Sequence, residues 1–163
     1  MLEDHVWNFV KIKHAGQYRK SGELVINHLI EVASITMILL NELEIFDQKE
    51  KFLLRNVALL HDVLEDTPTT IKELSNIVSL ETIQYIEFLT EDGSLPYIKR
   101  KKAYLQQIRT APLQVKIIKL ADIYSGLKTV HNFKNDSWAK KYTVYAKRIL
   151  VQCMPTTLKK TSI

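Results

Sequence analysis

Val57-Ala58-Leu59-Leu60-His61-Asp62-Val63-Leu64-Glu65-Asp66-Thr67-Pro68 passes from four apolar residues into a stretch holding a histidine and three carboxylates. The apolar run reads as the end of a buried helix that carries Phe52, Leu53, Arg55, Asn56, Val57, Ala58 and Leu60 and stops near Thr67-Pro68. Charged groups at the end of a buried helix need a strong partner, and a metal ion is one. On a continuous helix Glu65 follows His61 by four residues and Asp66 follows Asp62 by four, so each shares a face with the residue one turn before it.

Helical signals extend on both sides. His28 to Leu43 places Leu29, Val32, Ala33, Ile35, Leu39 and Leu40 close to a 3.6-residue period. Asp47 with Glu50, and Thr70 with Glu73, have the spacing of capping boxes. Ser79 opens a helix whose inner side is Ile83, Ile86 and Leu89, and Gly93 lies in the turn after it. Pro96 suits the first turn of a helix over Tyr97 to Arg109. A long helix spans Val115 to Val130, and Asp136 or Ser137 caps a last one through Trp138, Tyr142, Tyr145, Ile149 and Val151. No alternating strand pattern and no hairpin signal between strand-like runs occurs. The expected fold is all-α, a compact bundle of about seven or eight helices, with residues 1–163 forming a single domain.

Composition sets aside several classes. The chain of 163 residues is 46% hydrophobic, too apolar for a disordered segment. Its longest apolar stretch, around Ile35 to Leu40, is far short of the ~20 residues that span a bilayer. The acidic start Met1-Leu2-Glu3-Asp4-His5 lacks the pattern of a signal peptide. A lone cysteine, Cys153, leaves no internal disulfide, so a reducing cytoplasm is the expected compartment and no membrane partner is expected. The net charge of +5 is unevenly laid out. Residues 1–98 hold 8 Lys/Arg against 16 Asp/Glu, a formal −8, and residues 99–163 hold 15 against 2, a formal +13.

The candidate metal ligands are His28, His61, Asp62 and Asp122. Imidazole nitrogen and carboxylate oxygen suit Mn2+, Fe2+, Co2+ or Zn2+. Glu65 and Asp66, beside such an ion, can accept a proton from water or orient it. Taken singly, each residue has an ordinary explanation: Asp66-Thr67-Pro68 as a polar helix end, Asp122 as an ion-pair partner of Lys119 or an arginine. Taken together they favour a metal site. Arg19-Lys20-Ser21-Gly22 combines cations, a hydroxyl and a flexible residue suited to phosphate oxygens. Lys99-Arg100-Lys101-Lys102 fans around a helix, so only about half of it can face one ligand. Trp7, Trp138, Tyr142 and Tyr145 have the spacing of packing aromatics, and His5 and His131 read as surface or helix-end residues.

The residues resemble a known group, the HD-domain hydrolases of the RelA/SpoT type, and most closely the stand-alone small alarmone hydrolases of the metazoan SpoT-homologue type. The resemblance rests on His14-Ala15-Gly16-Gln17-Tyr18-Arg19-Lys20-Ser21-Gly22-Glu23 with His28 following, and on Leu59 to Thr67. It continues through Leu89-Thr90-Glu91-Asp92 with Leu95-Pro96, and through Val115 to Asp122, in family order. It implies an HD fold and one Mn2+ on His28, His61, Asp62 and Asp122. It implies removal of the 3′-pyrophosphate from guanosine 3′,5′-bis(diphosphate), with Glu65 and Asp66 managing the attacking water. Arg19, Lys20 and Ser21 would line the nucleotide pocket, and basic residues near Lys99 to Lys102, with Lys99 and Lys102 taken as the binding pair, would lie towards the phosphates.

Some members of that group act on the 2′-phosphate of NADPH. Departures from the group's pattern stand at Leu24-Val25, where Pro-Tyr is usual, at Leu29, where proline is usual, and at Ile123 and Gly126, where a basic residue and an asparagine are usual. They keep a catalytically silent nucleotide sensor as a second expectation. A nucleic-acid binder built on the basic 99–163 half comes last, because it leaves the His28, His61, Asp62 and Asp122 set unexplained.

Overall fold

The structure, a computed structural model, describes residues 5–132 and 135–154; the acidic Met1 to Asp4 start lies outside them. The described residues form α1 (His5–Lys13), α2 (Val25–Leu43), α3 (Gln48–Leu60), α4 (Val63–Asp66) and α5 (Ile71–Leu74), followed by α6 (Leu80–Leu89), α7 (Tyr97–Thr110) and α8 (Leu113–Lys128). A single 3-10 turn, Val130–Asn132, precedes α9 (Asp136–Cys153). Seven of these helices run nine residues or longer, and no strand occurs among the described residues. The all-α expectation holds.

The helix ends show where local chemistry was legible. Thr70 and Glu73 form the reciprocal capping box, and Ser79 accepts from the backbone of Thr82. Asp47 accepts from the Glu50 backbone, but the Glu50 carboxylate accepts from Gln114 on α8 instead of reaching back. The expected box at that end is therefore only half formed, because a tertiary partner captures its second member. Asn135, not Asp136 or Ser137, caps α9, with its side chain accepting from Ser137 and Trp138. α1 has no counterpart in the sequence reading.

One correction bears on the site. The helix through Leu60 does not continue to Thr67. α3 ends at Leu60, and Asp62 takes φ −99° and ψ −3°, a conformation that breaks the run before the single turn α4. The His61-Asp62 dipeptide thus sits at a kink, with His61 buried and Asp62 lining a cavity. A bond of 2.8 Å from the Asp66 N–H to the Asp62 carbonyl keeps the two one turn apart.

α2 packs mainly against α3 and α8, and α9 lies against α7 and α8. One apolar cluster joins Val6 and Val10 of α1 to Leu29, Leu60, Ile118 and Ile149 of α2, α3, α8 and α9. By length and composition alone α2 would pass as a membrane span. Its buried positions, Val25, His28, Leu29, Val32, Ala33, Thr36 and Leu40, instead form the face turned to α3 and α8, as in a core helix. That face carries His28 inward.

Candidate metal centre

His28 from α2, His61 from the α3–α4 kink and Asp122 from α8 converge although their elements are far apart in sequence, and Asp62 stands beside the two histidines. His28 and His61 are buried, and their rings meet edge to face with centroids 5.4 Å apart. Nε2 of His28 lies 3.2 Å from Oδ1 of Asp122 and 3.9 Å from Oδ2 of Asp62. Nε2 of His61 lies 3.3 Å from Oδ1 of Asp62 and 3.8 Å from Oδ1 of Asp122. Ligand atoms bound at about 2.1 Å to one ion stand roughly 3.0–3.5 Å apart; the His28–Asp122 and His61–Asp62 pairs fall in that range, and the other two are a few tenths of an ångström wider.

The opposite ring nitrogens decide the tautomers. Nδ1 of His61 is 2.7 Å from the Ala58 carbonyl, which can only accept, so Nδ1 carries the proton and Nε2 presents its lone pair. Nδ1 of His28 is 2.8 Å from the Ser125 hydroxyl, whose own proton goes to Glu31 at 2.5 Å. Nδ1 of His28 is therefore the donor, and its Nε2 is also left as a lone pair facing Asp122. Nε2 of His61 is buried with no hydrogen-bond partner among the described residues. An Nε2 atom set between two carboxylates can either hold a proton that they stabilise or, deprotonated, offer its lone pair to a metal ion.

Without a cation these groups share a proton. Burial disfavours a charged His61, yet the Asp62 and Asp122 carboxylates overcome it and raise its pKa to about 9. Burial likewise acts against an ionised Asp62, and His61 outweighs it, holding Asp62 at about 2. Asp122 is kept well below the carboxylate range: burial opposes this, and the Lys119 ammonium, 2.7 Å from its Oδ2, prevails. Lys119 is itself buried, so the ion pair expected under the ordinary reading of Asp122 exists together with the metal arrangement.

The centre opens into a cavity of about 540 Å³. Glu65 and Asp66 stand on its wall; withdrawal from water raises both pKa values, and the Asp62 charge adds to the effect. Gln17 donates to the Asp66 carbonyl, and buried His14 contacts Gln17 at 2.8 Å. This gives the His14 turn a bracing position beside α4.

Arg19 and Lys20 line the cavity. They are held by a tight loop that Gly22 closes at φ +87°, and Lys20 Nζ lies 3.4 Å from the centre of the Trp138 ring. Ser21 does not line the cavity. Of the basic run, Arg100 and Lys101 face it, whereas Lys99 and Lys102 do not. α7 begins at Tyr97, and that phase turns the middle two residues inward, where buried Glu91 holds them: Oε1 at 2.5 Å from Lys101 Nζ, Oε2 at 3.3 Å from Arg100 Nε.

Of the residues read from the sequence as packing aromatics, Trp7 and Tyr145 do pack against the core, and Trp138, Tyr142 and Tyr145 line the cavity. Spacing alone does not distinguish a helix face on the core from one on a cleft. Glu91, Lys119, Ser125 and Glu31 were also absent from the expected site. Lys119, three residues before Asp122, and Glu91, within the Leu89-Thr90-Glu91-Asp92 stretch of the resemblance, left a visible signal.

A family model described as HD domain matches residues 25–127. The chain belongs to the HD-domain family. The matched HD segment spans α2 through nearly all of α8 and so contains all four converging residues. A guanosine-3′,5′-bis(diphosphate) 3′-pyrophosphohydrolase, MESH1, of Danio rerio is 34% identical to this HD protein over 81% of the chain and 71% of the relative. The Homo sapiens protein of the same name is 33% identical over 82% of the chain and 72% of the relative. A solved structure of a metazoan SpoT orthologue superposes with a TM-score of 0.81, covering 98% of this chain and 92% of that one, at 24% identity. It supports the HD helical fold.

Proposed function

We propose that this protein is a metal-dependent pyrophosphohydrolase that removes the 3′-pyrophosphate from guanosine 3′,5′-bis(diphosphate), leaving GDP and pyrophosphate. The observation that carries this reading is the convergence of two Nε2 lone pairs on Asp122, with each opposite Nδ1 already committed, at one end of a cation-lined cavity. The names borne by the MESH1 relatives supply the substrate class.

His28, His61, Asp62 and Asp122 hold a divalent cation, for which Mn2+ is the proposed occupant. Bound there, the ion supplies Lewis-acid polarisation of phosphoryl oxygen and lowers the pKa of water. Glu65 and Asp66, with raised pKa values, are suited to take the proton from the attacking water. The water oxygen forms a bond to the phosphorus attached to the ribose 3′ oxygen, and the bond to that oxygen breaks, the departing oxygen taking a proton. Arg19, Lys20, Arg100 and Lys101 offset the charge of the diphosphates. Residues 1–163 act as one unit, as the single apolar cluster from Val6 to Ile149 supports. A reducing cytoplasm suits a chain whose one cysteine is Cys153.

The test is incubation of the Mn2+-supplemented full chain with guanosine 3′,5′-bis(diphosphate), and in parallel with NADPH, with product identification. Release of GDP and pyrophosphate, abolished in His61→Ala and in Asp62→Ala, is expected. Turnover by metal-depleted His61→Ala would sink the mechanism. Stoichiometric binding without products would favour the sensor, and phosphate release from NADPH alone would change the substrate.

A further inference from the structure

A second groove, of about 620 Å³, lies between α7 and α9. On α7 its wall runs from Tyr97 to Leu105 and includes Ile98 and Lys102; on α9 it runs from Lys140 to Arg148 around Val144. Both walls repeat the spacing i, i+1, i+4, i+5, i+8, which is one stripe of a helix surface. Each stripe therefore covers about 12 Å of helix axis at 1.5 Å per residue.

The groove has an apolar floor and a cationic edge. Leu105 and Tyr145 are half-buried and pack against the core, whereas Ile98 is 81% exposed and Val144 stands half in water beside them. Aliphatic side chains gathered around one opening mark a surface that binds, which scattered ones do not. Lys102, Lys140, Lys141 and Arg148 are exposed, and no carboxylate occurs among the described residues that line the groove. Long cationic side chains lay their methylene stems along such a wall and keep the charge in water. Lys102, turned away from the reaction cavity, takes its place here.

Charge and length select the occupant. Lys140 and Arg148 end the α9 stripe, about 12 Å apart along its axis, so one anionic head group does not reach both. A nucleic-acid strand spans them but sets its phosphates against Ile98 and Val144. An amphipathic helix meets both demands: its apolar anchors at i, i+4 and i+7 span about 10.5 Å, and carboxylates on its flanks face the cations.

We propose that the α7–α9 groove is a docking site for an acidic amphipathic helix of a partner protein. Tyr97, Lys101, Lys141 and Tyr145 line both this groove and the reaction cavity, so the docked helix shares a wall with that cavity.

The test titrates the full chain with a labelled synthetic helix of about 15 residues, read by fluorescence anisotropy. The peptide carries leucine at i, i+3, i+4 and i+7, glutamate on both flanks and alanine elsewhere. The same peptide with lysine for glutamate, a single-stranded oligonucleotide and decanoate are the rival occupants. Saturable one-to-one binding of the acidic peptide is expected, about tenfold or more tighter than of the lysine peptide. Ile98→Asp, which removes an apolar anchor and faces the acidic flank with a carboxylate, should weaken it about tenfold or more. Arg148→Glu, a reversed charge at the edge, should weaken it about 3- to 10-fold. Both residues are exposed and line only the groove, so circular dichroism should show wild-type helical content in both variants. No saturable binding of the acidic peptide overturns the proposal, as does wild-type affinity in either variant. Tighter binding of the lysine peptide, the oligonucleotide or decanoate gives the groove to another occupant and overturns it likewise.

Discussion

The Ser125 hydroxyl lies 2.8 Å from Nδ1 of His28 and passes its own proton to Glu31 at 2.5 Å. Lys128 pairs with the same Glu31, so a surface cation ends a chain that begins at a candidate metal ligand. The chain fixes the His28 tautomer and ring orientation, which the imidazole could not hold in an apolar wall by itself.

Ser125→Ala should therefore weaken divalent-ion binding about 10- to 100-fold while leaving the helical content unchanged. Competition with a fluorescent chelator reads the affinity, and circular dichroism reads the fold. Wild-type affinity in Ser125→Ala would show that the relay has no part in orienting His28.

Proton and metal compete for Nε2 of His61. In the metal-free protein its pKa is about 9, above its ordinary 6.5, so its contribution to stability is fully present below pH 6.5 and lost as pH rises through 9. Asp62, held at about 2 against an ordinary 3.8, contributes above pH 3.8 and loses that contribution as pH falls through 2. Metal-free protein should be most stable between those limits and weaken towards pH 9. Mn2+ affinity should climb over the same rise from 6.5 to 9, as the proton leaves. Thermal melts with and without Mn2+ across that range test both signs.

Arg100 and Lys101 line the cavity and pair with Glu91, whereas Lys99 and Lys102 do not line it. Arg100→Ala and Lys101→Ala should each raise KM for the anionic nucleotide about tenfold or more, the worth of a charge-assisted hydrogen bond. Lys99→Ala and Lys102→Ala should leave KM within about twofold. Equal effects from all four would mean a diffuse field rather than directed contacts, and a strong salt dependence would accompany it.

Leu60 is fully buried and is the last residue of α3 before the ligand dipeptide. Leu60→Ala should cost about 2–5 kcal/mol of stability through lost burial and the cavity left behind. Urea unfolding would show it as a lowered midpoint at unchanged slope.

Periodicity, caps and the order of polar residues are local properties, and the chain states them directly. The spacing of Leu29, Val32, Ala33 and Leu40, the box at Thr70 and Glu73, and the cap at Ser79 were all legible for that reason. The His61-Asp62 pair stood out too, because it follows an apolar run and polar groups there need a partner. The break after Leu60 was not, since each residue from His61 to Asp66 tolerates a helix and only convergence with α2 and α8 makes the kink useful.

The same limit explains Arg100 and Lys101 replacing Lys99 and Lys102 at the cavity. Four adjacent cations look alike in sequence, and the phase of α7 is set by packing against α6 and α9. It explains Tyr142 as well. The sequence by itself determined an all-helical chain with a buried His/Asp set, because those follow from hydrophobic period and residue chemistry. Only the tertiary structure decided which ring nitrogen faces Asp122, which cations face the cavity, and that a glycine on α8 makes room for a tyrosine on α9. Each depends on the relative placement of two elements distant in the chain, and that placement is set by packing of the whole core.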